Sequence, residues 1–182
     1  MRARLCSQNR HKLEELRAAL PGWELELLDA AGYPDEDGLT YVENARAKAV
    51  FGRGLVENDL WAIGEDSGIE AAALDGRPGI HSARWADDGV ARLLEELAGV
   101  EDRRARYVCE VVCLTSSREL RGTGILDGVL ALAPSGDEGF GYDPIFVPVG
   151  EARTVAELGD AWKRRHSHRA RAARALLAAA PS

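Results

Sequence analysis

Two adjacent carboxylates, Glu65 and Asp66, stand just after a strand-like apolar run at residues 60–63, with Gly64 between them and the run. Charged groups at the end of a buried strand are costly unless something binds them. Two such acids can hold Mg²⁺ through oxygen ligands, and Mg²⁺ usually also takes substrate phosphates. One acid could instead orient an attacking water. The alternative is a solvated turn, because the residues that follow, Ser67 and Gly68, favour turns as Asp does.

A second candidate site lies between the predicted first strand and first helix. Backbone N–H groups at a helix N-terminus attract anions, and a lysine there adds positive charge. The alternative is a simple N-cap by Ser7 or Asn9. The pattern is not a Walker loop, because the glycines are missing. The candidate phosphate-binding residues are Ser7, Gln8, Asn9, Arg10, His11 and Lys12.

An acidic loop at residues 30–39 precedes a predicted helix and adds further acids. Glu36 in this loop could complete a metal shell. Glu43 also has another role open to it, since Thr40 and Glu43 match a capping box. Lys48 lies near one helical turn from Glu43, so it could pair with that acid or reach a phosphate.

Two stretches toward the C-terminal end are further candidate sites, and the first of them could recognise a base. Glycines let a backbone approach a ligand closely and aromatic side chains can stack on a base, although the same pattern suits an aromatic-anchored turn. The residues of this first stretch are Phe140, Gly141, Tyr142 and Asp143. The second stretch holds Lys163, His168 and Arg169, with Ser167 as a plausible N-cap. Positive charge at a helix start opposes the helix dipole, which suggests a function, whereas the alternative is a solvated basic face.

Interleaved strands and helices must position these groups, so the sequence predicts an α/β fold with a mixed sheet. Strands are expected at residues 2–6, 23–28, 60–65, 105–115, 120–125 and 128–133, with a short extended piece at 144–147. Residues 69–73 could continue the third strand or pair with it. Helices are expected at residues 9–20, 40–56, 87–98 and 167–180, with a helical turn at 156–162 and a loop at 74–86.

Length, charge and cysteine content limit the classes of protein to which this chain could belong. A chain of 182 residues suits one domain, with two lobes around a cleft as one option. The net charge of −7 argues against a broad nucleic-acid-binding surface. Three cysteines in apolar contexts suggest reduced, buried thiols and hence a cytoplasmic protein. No signal peptide and no apolar run of ~20 residues is found, so no membrane partner is expected.

Taken together, six short motifs resemble the inosine/xanthosine triphosphate pyrophosphatase family over nearly the whole chain. In chain order they are Ser7-x-Asn9-x-x-Lys12, Gly38-Leu39-Thr40 with Glu43-Asn44-Ala45-x-x-Lys48-Ala49, Glu65-Asp66-Ser67-Gly68, Gly76-x-Pro78-Gly79-Ile80-x-Ser82-Ala83-Arg84, Phe140-Gly141-Tyr142-Asp143-Pro144-Ile145-Phe146 and Ser167-His168-Arg169. The chain departs from the family pattern at three positions. Ser7 stands where Thr is usual, Glu65 where Asp is frequent, and His81 where Tyr is common.

The resemblance implies an elongated mixed sheet with flanking helices, two lobes around a central cleft, and a homodimer. It also implies hydrolysis of deaminated purine nucleoside triphosphates (ITP, dITP and XTP) to the monophosphate and pyrophosphate, with Mg²⁺, which cleanses the nucleotide pool. Two alternatives remain open, which are a pyrophosphatase for other modified nucleoside triphosphates and a nucleotide sensor without catalysis.

Residue roles follow from the same resemblance. Asp66 would be the catalytic acid, on Mg²⁺ and on the attacking water. The metal ligands would be Asp66, Glu65, Glu36 and Glu43. Residues 7–12 and Lys48 would hold the phosphates, and Ser67 would contact the nucleotide. Phe140, Gly141, Tyr142, Asp143, Lys163, His168 and Arg169 would surround the base, with donors from His168 and Arg169 directed at O6 of the purine.

Overall fold

The computed structural model describes residues 1–179 of the chain. The strands are β1 (Arg2–Leu5), β2 (Glu24–Leu27), β3 (Trp61–Ala71), β4 (Arg104–Leu114), β5 (Glu119–Leu130) and β6 (Phe146–Pro148). The α-helices are α1 (Arg10–Ala19), α2 (Tyr41–Arg53), α3 (Gly89–Glu96), α4 (Val155–His166) and α5 (His168–Ala179). Short 3-10 turns occupy Ala72–Leu74, Gly79–Arg84 and Asp143–Ile145.

The strands form one sheet in the order β2-β1-β3-β4-β5-β6. β1 runs parallel to both β2 and β3, whereas β5 and β6 are antiparallel. The sheet is therefore mixed, and helices alternate with strands along the chain. This arrangement confirms the predicted α/β class.

The chain divides into two compact units. The first unit comprises Met1–Asp66, Cys109–Gly124 and helix α5 from Arg169 onward. Its core packs α1 and α5 against the β1 and β3 strands through buried side chains such as Leu16, Ile63 and Leu176. Gly122 allows close contact with α5, because a Cβ atom there would lie 2.1 Å from the Ala172 carbonyl oxygen.

The second unit comprises Ser67–Val108 and Ile125–His168. Its core includes Ile69, Leu93, Tyr107 and Phe146, which are all buried. That both units form a single nucleotide-pyrophosphatase domain with two lobes stays a prediction.

Strand β3 corrects the prediction that a strand ends at residue 65. It runs without interruption from Trp61 to Ala71, so Glu65 and Asp66 lie inside a strand and not in a turn. Residues 69–73 were expected to continue or pair with this strand, and 69–71 continue it. Helix α2 packs closely on the strand at Gly64, where a Cβ atom would lie 1.8 Å from the Ala45 carbonyl oxygen.

Three further boundaries differ from the sequence-based expectations. The strands predicted at 120–125 and 128–133 are one strand, β5, in which exposed and buried residues alternate strictly. Helix α4 is longer than the predicted turn and has a break at Gly159, where φ is 79°. Ser167 is the C-cap of α4, not the first residue of a helix, and α5 begins at His168. Residue 180, placed in the last helix by the sequence, lies outside the described residues.

The cysteines Cys6, Cys109 and Cys113 are buried and free, as predicted. Among residues 1–179, none of the helices has the length and apolar character needed to cross a membrane.

Candidate active site

Strand β3 carries the two neighbouring acids, Glu65 and Asp66, which are only 2% and 3% exposed. Successive residues of a strand point to opposite faces of the sheet. The two carboxylates accordingly meet different partners. Asp66 meets side chains of α2, whereas Glu65 meets side chains of α1 and α5.

On the Asp66 face, two side chains of α2 bind the carboxylate. Lys48 Nζ lies 3.2 Å from Oδ1, and Asn44 Nδ2 donates to Oδ2 at 3.1 Å. Asn44 and Lys48 are four residues apart, so they project from the same side of the helix. Lys48 also donates to the backbone oxygen of Glu65 at 2.9 Å and forms a close ion pair with Glu36.

Burial and neighbouring charge set the protonation of this cluster. Burial raises the pKa of Asp66, and the repulsion of Glu36 and Glu65 adds to it, whereas Lys48 opposes the rise. Burial alone would lower the pKa of Lys48, but Asp66, Glu65 and Glu36 outweigh it and raise that pKa. The lysine therefore stays charged, and its ammonium group lies between two carboxylates.

On the opposite face, Glu65 is the centre of a buried ionic network. Arg169 Nε donates to its Oε1 at 3.0 Å, and Lys12 Nζ lies 2.7 Å from Oε2. The Cys109 thiol donates to Oε1 at 3.4 Å, and Arg169 also pairs with Glu15 at 3.0 Å. Burial opposes ionisation of Glu65, but Arg169, Lys12 and Lys48 outweigh it and hold the pKa of Glu65 well below its usual range.

The loop before α1 is organised as a helix cap. The Asn9 side chain accepts hydrogen bonds from the backbone N–H groups of His11 and Lys12, at 2.9 and 3.3 Å. Ser7 Oγ accepts from the Asn9 backbone at 3.1 Å. The N-cap alternative for Asn9 is thus correct, and phosphate binding by residues 7–12 stays a prediction. Gln8, Arg10 and His11 are exposed, whereas Lys12 turns toward Glu65.

The acids proposed as metal ligands divide into two groups. Glu36 and Asp66 share the Lys48 ammonium. Glu43 forms the predicted capping box with Thr40, and its Oε2 accepts from the backbone of Leu39 and Thr40 at 2.8 and 3.0 Å. Within residues 1–179, no group of three or more His, Cys, Asp or Glu side chains is arranged to hold a metal ion.

In the second unit, Asp143 is buried and accepts hydrogen bonds from side chains and backbone around it. Lys163 Nζ and the Phe140 backbone donate to its Oδ2, at 2.7 and 2.9 Å. The Tyr107 hydroxyl donates to Oδ1 at 3.2 Å. Gly139 makes this close approach possible, because its φ is +80° and a Cβ atom there would lie 2.3 Å from Asp143 Oδ2.

Aromatic rings pack against the side chains that bind this carboxylate. The Tyr107 and His168 rings stack with centroids 4.4 Å apart and an interplanar angle of 7°. Lys163 Nζ lies 4.2 Å from the centre of the Phe140 ring. The structure thus brings together four of the predicted base-site residues, which are Phe140, Asp143, Lys163 and His168.

Four other predicted residues of the site have surroundings of their own. Tyr142 is buried and donates through its hydroxyl to the Ser82 backbone at 3.0 Å. Gly141 is exposed and has a φ of +63°, and Ser67 is a half-buried residue of β3. Arg169 is 2% exposed and holds acids of the first unit.

Sequence reasoning missed three participants. Asn44 lies four residues before Lys48 in one of the six motifs. This spacing places both side chains on the same face of a helix, which was the signal that they share a partner. Glu15 lies on the buried side of α1, where a charged residue at 7% exposure signals a buried partner. Tyr107 sits in a run of strand-forming residues, and its hydroxyl gave no local signal.

Comparison with known proteins shows which family the sequence of this chain resembles. Residues 3–179 match the sequence profile of the Ham1 family. A dITP/XTP pyrophosphatase of Gloeobacter violaceus is 42% identical over 179 residues, covering 95% of this chain and 91% of that protein. Another dITP/XTP pyrophosphatase, from Deinococcus deserti, is 43% identical over 183 residues, covering 96% of this chain and 87% of that protein.

A solved structure agrees with these matches. The Ham1 protein of Staphylococcus aureus superposes with a TM-score of 0.86 at 31% identity, covering 98% of this chain and 97% of that one. Fold and sequence together define a hydrolase of the α/β fold class that acts on acid anhydrides. The chain belongs to the Ham1 family, which confirms the resemblance found in its motifs.

Proposed function

We propose that this chain hydrolyses deaminated purine nucleoside triphosphates, namely ITP, dITP and XTP, to the nucleoside monophosphate and pyrophosphate. Its relatives from Gloeobacter violaceus and Deinococcus deserti carry the name dITP/XTP pyrophosphatase. The observation that carries the proposal is the cluster in which the half-buried Glu36 and the buried Asp66 both pair with the ammonium of Lys48. Such a cluster supplies oxygen ligands and a cation at one place, which is what a polyphosphate requires.

The donor set fits Mg²⁺. Mg²⁺ in proteins is usually bound through one or two carboxylates, with substrate phosphates and waters as the other ligands. Glu36 and Asp66, which converge on the Lys48 ammonium, supply two carboxylates and meet this requirement without a third acid. Glu36 and Asp66 are the residues that would hold the ion. When bound, it would offset negative charge on the triphosphate and on the leaving pyrophosphate.

Asp66 has the second role of orienting and deprotonating the attacking water. Asn44 and Lys48 each hold one of its oxygens, so the carboxylate cannot rotate freely. The water oxygen forms a new bond to the α-phosphorus, and the bond from that phosphorus to the bridging oxygen breaks. The bridging oxygen leaves with pyrophosphate, and the proton of the water passes to Asp66. Lys48 and Lys12 stabilise the charge that develops on the leaving group.

Glu65 supports this site and does not hold the metal in our proposal. Both of its oxygens are engaged, one by Arg169 and the other by Lys12. It therefore positions Lys12 and keeps that ammonium near the strand that carries Asp66. Glu43 is likewise assigned to the helix cap, because its Oε2 already accepts two backbone hydrogen bonds.

The base site is assigned to the second unit, with His168 as the donor to O6 of the purine. Deaminated purines present O6 as an acceptor and N1–H as a donor, whereas adenine presents an amine at the same edge. A donor facing that amine leaves a polar group unmatched, which can give large discrimination. Arg169 was expected to share this role. Its buried ion pairs with Glu15 and Glu65 favour a supporting role instead.

Three further parts of the proposal rest on the family resemblance and the composition. The protein is expected to be a homodimer, to act in the cytoplasm, and to have neither nucleic acid nor a membrane as a partner. Sedimentation of the purified protein measures the first of these, and a monomer at micromolar concentration would contradict it.

A panel of nucleoside triphosphates, assayed for pyrophosphate release in Mg²⁺, tests the activity. We expect ITP, dITP and XTP to be hydrolysed far faster than ATP and GTP. Preference for a modified pyrimidine would instead favour the broader pyrophosphatase. Tight nucleotide binding without pyrophosphate release would favour a sensor.

The Asp66→Asn variant tests the residue assignment within this activity. Turnover should fall by at least about a hundredfold, because the general base is lost. The circular dichroism spectrum should stay that of the parent protein. Asp59→Asn serves as the control, because Asp59 is an exposed acid whose carboxylate pairs only with Arg2 among the contacts described. Normal ITP hydrolysis by Asp66→Asn would remove Asp66 from catalysis.

A further inference from the structure

We infer that Tyr107 is a positioning residue that sets the selectivity of the base site, an inference that rests on the proposed function. Tyr107 is 7% exposed and lies on β4. It is linked to two residues of the base site at once, through its hydroxyl to Asp143 and through its ring to His168. None of the sequence motifs includes it.

The hydroxyl of Tyr107 fixes the carboxylate of Asp143. Lys163 and the Phe140 backbone both donate to Oδ2, so both of these bonds hold the same oxygen. The Tyr107 hydroxyl, at 3.2 Å from Oδ1, holds the opposite oxygen. A hydrogen bond to a charged acceptor in a buried site is among the stronger ones a protein makes.

The ring of Tyr107 fixes the plane of His168. The Tyr107 and His168 rings are almost parallel, with centroids 4.4 Å apart. The Phe146 ring packs against the Tyr107 ring with a centroid distance of 4.6 Å and an angle of 50° between the ring planes. Tyr107 is therefore held by Phe146 and by its own hydrogen bond, and His168 lies against a fixed surface. A donor at the edge of the imidazole keeps its direction because the plane of the ring is set.

Direction matters because hydrogen bonds weaken steeply when they bend. A deaminated purine gains from an aligned donor at O6, whereas adenine offers no acceptor there and gains nothing. Loss of the Tyr107 hydroxyl should therefore weaken binding of the deaminated purine alone. A defect in folding would instead reduce turnover of every substrate by the same factor.

The Tyr107→Phe variant separates the two links, because it keeps the ring and removes the hydroxyl. We expect KM for dITP to rise about tenfold, which corresponds to the loss of roughly one hydrogen bond between the enzyme and O6. The kcat for dITP and the kcat/KM for dATP should change little, so the selectivity ratio falls about tenfold. Tyr107→Leu, which also removes the stacked ring, should lower the ratio further.

Two comparisons make the test specific. Thr123→Val removes a hydroxyl that donates to the carboxylate of Glu110 at 2.9 Å, in the first unit, and should leave the dITP/dATP ratio unchanged. If the hydroxyl acts through Asp143, adding Tyr107→Phe to Asp143→Asn should lower the ratio no further than Asp143→Asn alone.

The outcomes distinguish this inference from the proposed function. A wild-type protein without pyrophosphate release from dITP would overturn the proposed function itself. A wild-type protein that hydrolyses dITP, with a Tyr107→Phe variant of unchanged KM and unchanged ratio, would overturn only the role of Tyr107. An equal loss of activity toward dITP and dATP would also overturn it, because that result indicates a structural role.

Discussion

Arg169 and Glu65 form an ion pair of 3.0 Å in which the two side chains are only 2% and 0% exposed. The motif that contains Arg169 indicated a residue that touches the base. In the structure its guanidinium joins α5 to β3 and, through Glu15, to α1. Burial alone would lower the pKa of Arg169, but Glu65 and Glu15 outweigh it and raise that pKa, so the charge is retained.

Breaking this pair should cost stability rather than selectivity. Arg169→Met leaves the carboxylate of Glu65 buried with one partner fewer, and we expect the free energy of unfolding to fall by about 3–5 kcal/mol. Urea denaturation in EDTA measures this change. Adding Glu65→Gln to Arg169→Met removes the uncompensated charge and should recover part of the loss. Arg104→Met breaks an exposed pair with Asp102 and should leave the urea midpoint nearly unchanged.

If Arg169→Met left the urea midpoint unaltered and reduced the preference for dITP over dATP, the result would indicate that Arg169 recognises the base.

The depressed pKa of Glu65 predicts a loss of stability in acid. A carboxyl group whose folded-state pKa lies below its unfolded value stabilises the fold above the unfolded pKa. The stabilisation by Glu65 is therefore complete above its ordinary value of about 4.5 and is lost as the pH falls from there through the folded pKa. Unfolding free energies of the metal-free protein between pH 3 and 6, a range that brackets the ordinary pKa of Glu, measure the slope.

The Glu65→Gln variant should have a shallower slope over this range than the wild-type protein. Glu57→Gln, a change at an exposed position, should keep the wild-type slope. Equal slopes in all three proteins would show that Glu65 does not titrate differently on folding.

Local patterns predicted the parts of the site that depend on near neighbours in the chain. The Thr40–Glu43 capping box and the Asn9 cap each need only three or four consecutive residues, and both are present. The strand before Glu65 was also predicted, although its end was not. A run of two acids, a serine and a glycine favours a turn on local grounds alone. Partners from α1, α2 and α5 make the strand tolerable there, and they are distant in sequence.

The residues whose partners sequence reasoning did not foresee have those partners more than ten positions away. Arg169 and Glu65 are 104 residues apart in the chain, and Tyr107 and Asp143 are 36 apart. The type of Arg169 suggested anion or base binding, but only the packing of α5 brings Glu65 and Glu15 to it. Tyr107 belongs to a strand-forming run. Aromatic residues in strands usually serve packing, so its type and position did not indicate a role for its hydroxyl. Such roles depend on tertiary contacts that one sequence does not encode locally.

Glu36 and Glu43 should differ in their effect on metal dependence. Glu36→Gln removes one of the two carboxylates that share Lys48, so the Mg²⁺ concentration for half-maximal activity should rise about tenfold or more. Glu43→Gln removes one charge as well but keeps the helix cap, because Gln also serves in a capping box. Its Mg²⁺ dependence should match that of the parent protein, when both variants are titrated with Mg²⁺ at saturating ITP.

A raised Mg²⁺ requirement in Glu43→Gln, with none in Glu36→Gln, would exchange the roles that we assign to these two acids.

Gly139 should be required for the position of Asp143 as well as for its own backbone conformation. Gly139 and Gly22 both have a φ of +80°, but a Cβ atom at Gly22 would meet nothing within 4 Å, whereas one at Gly139 would lie 2.3 Å from Asp143 Oδ2. Alanine at either position should cost about 1–2 kcal/mol of stability from backbone strain. Only Gly139→Ala should displace the carboxylate that Lys163 and Tyr107 hold, and so reduce the preference for dITP over dATP by about tenfold or more. Thermal unfolding and the ratio of kcat/KM values measure the two effects separately, and an equal ratio in both variants would mean that the position of Asp143 does not govern base selection.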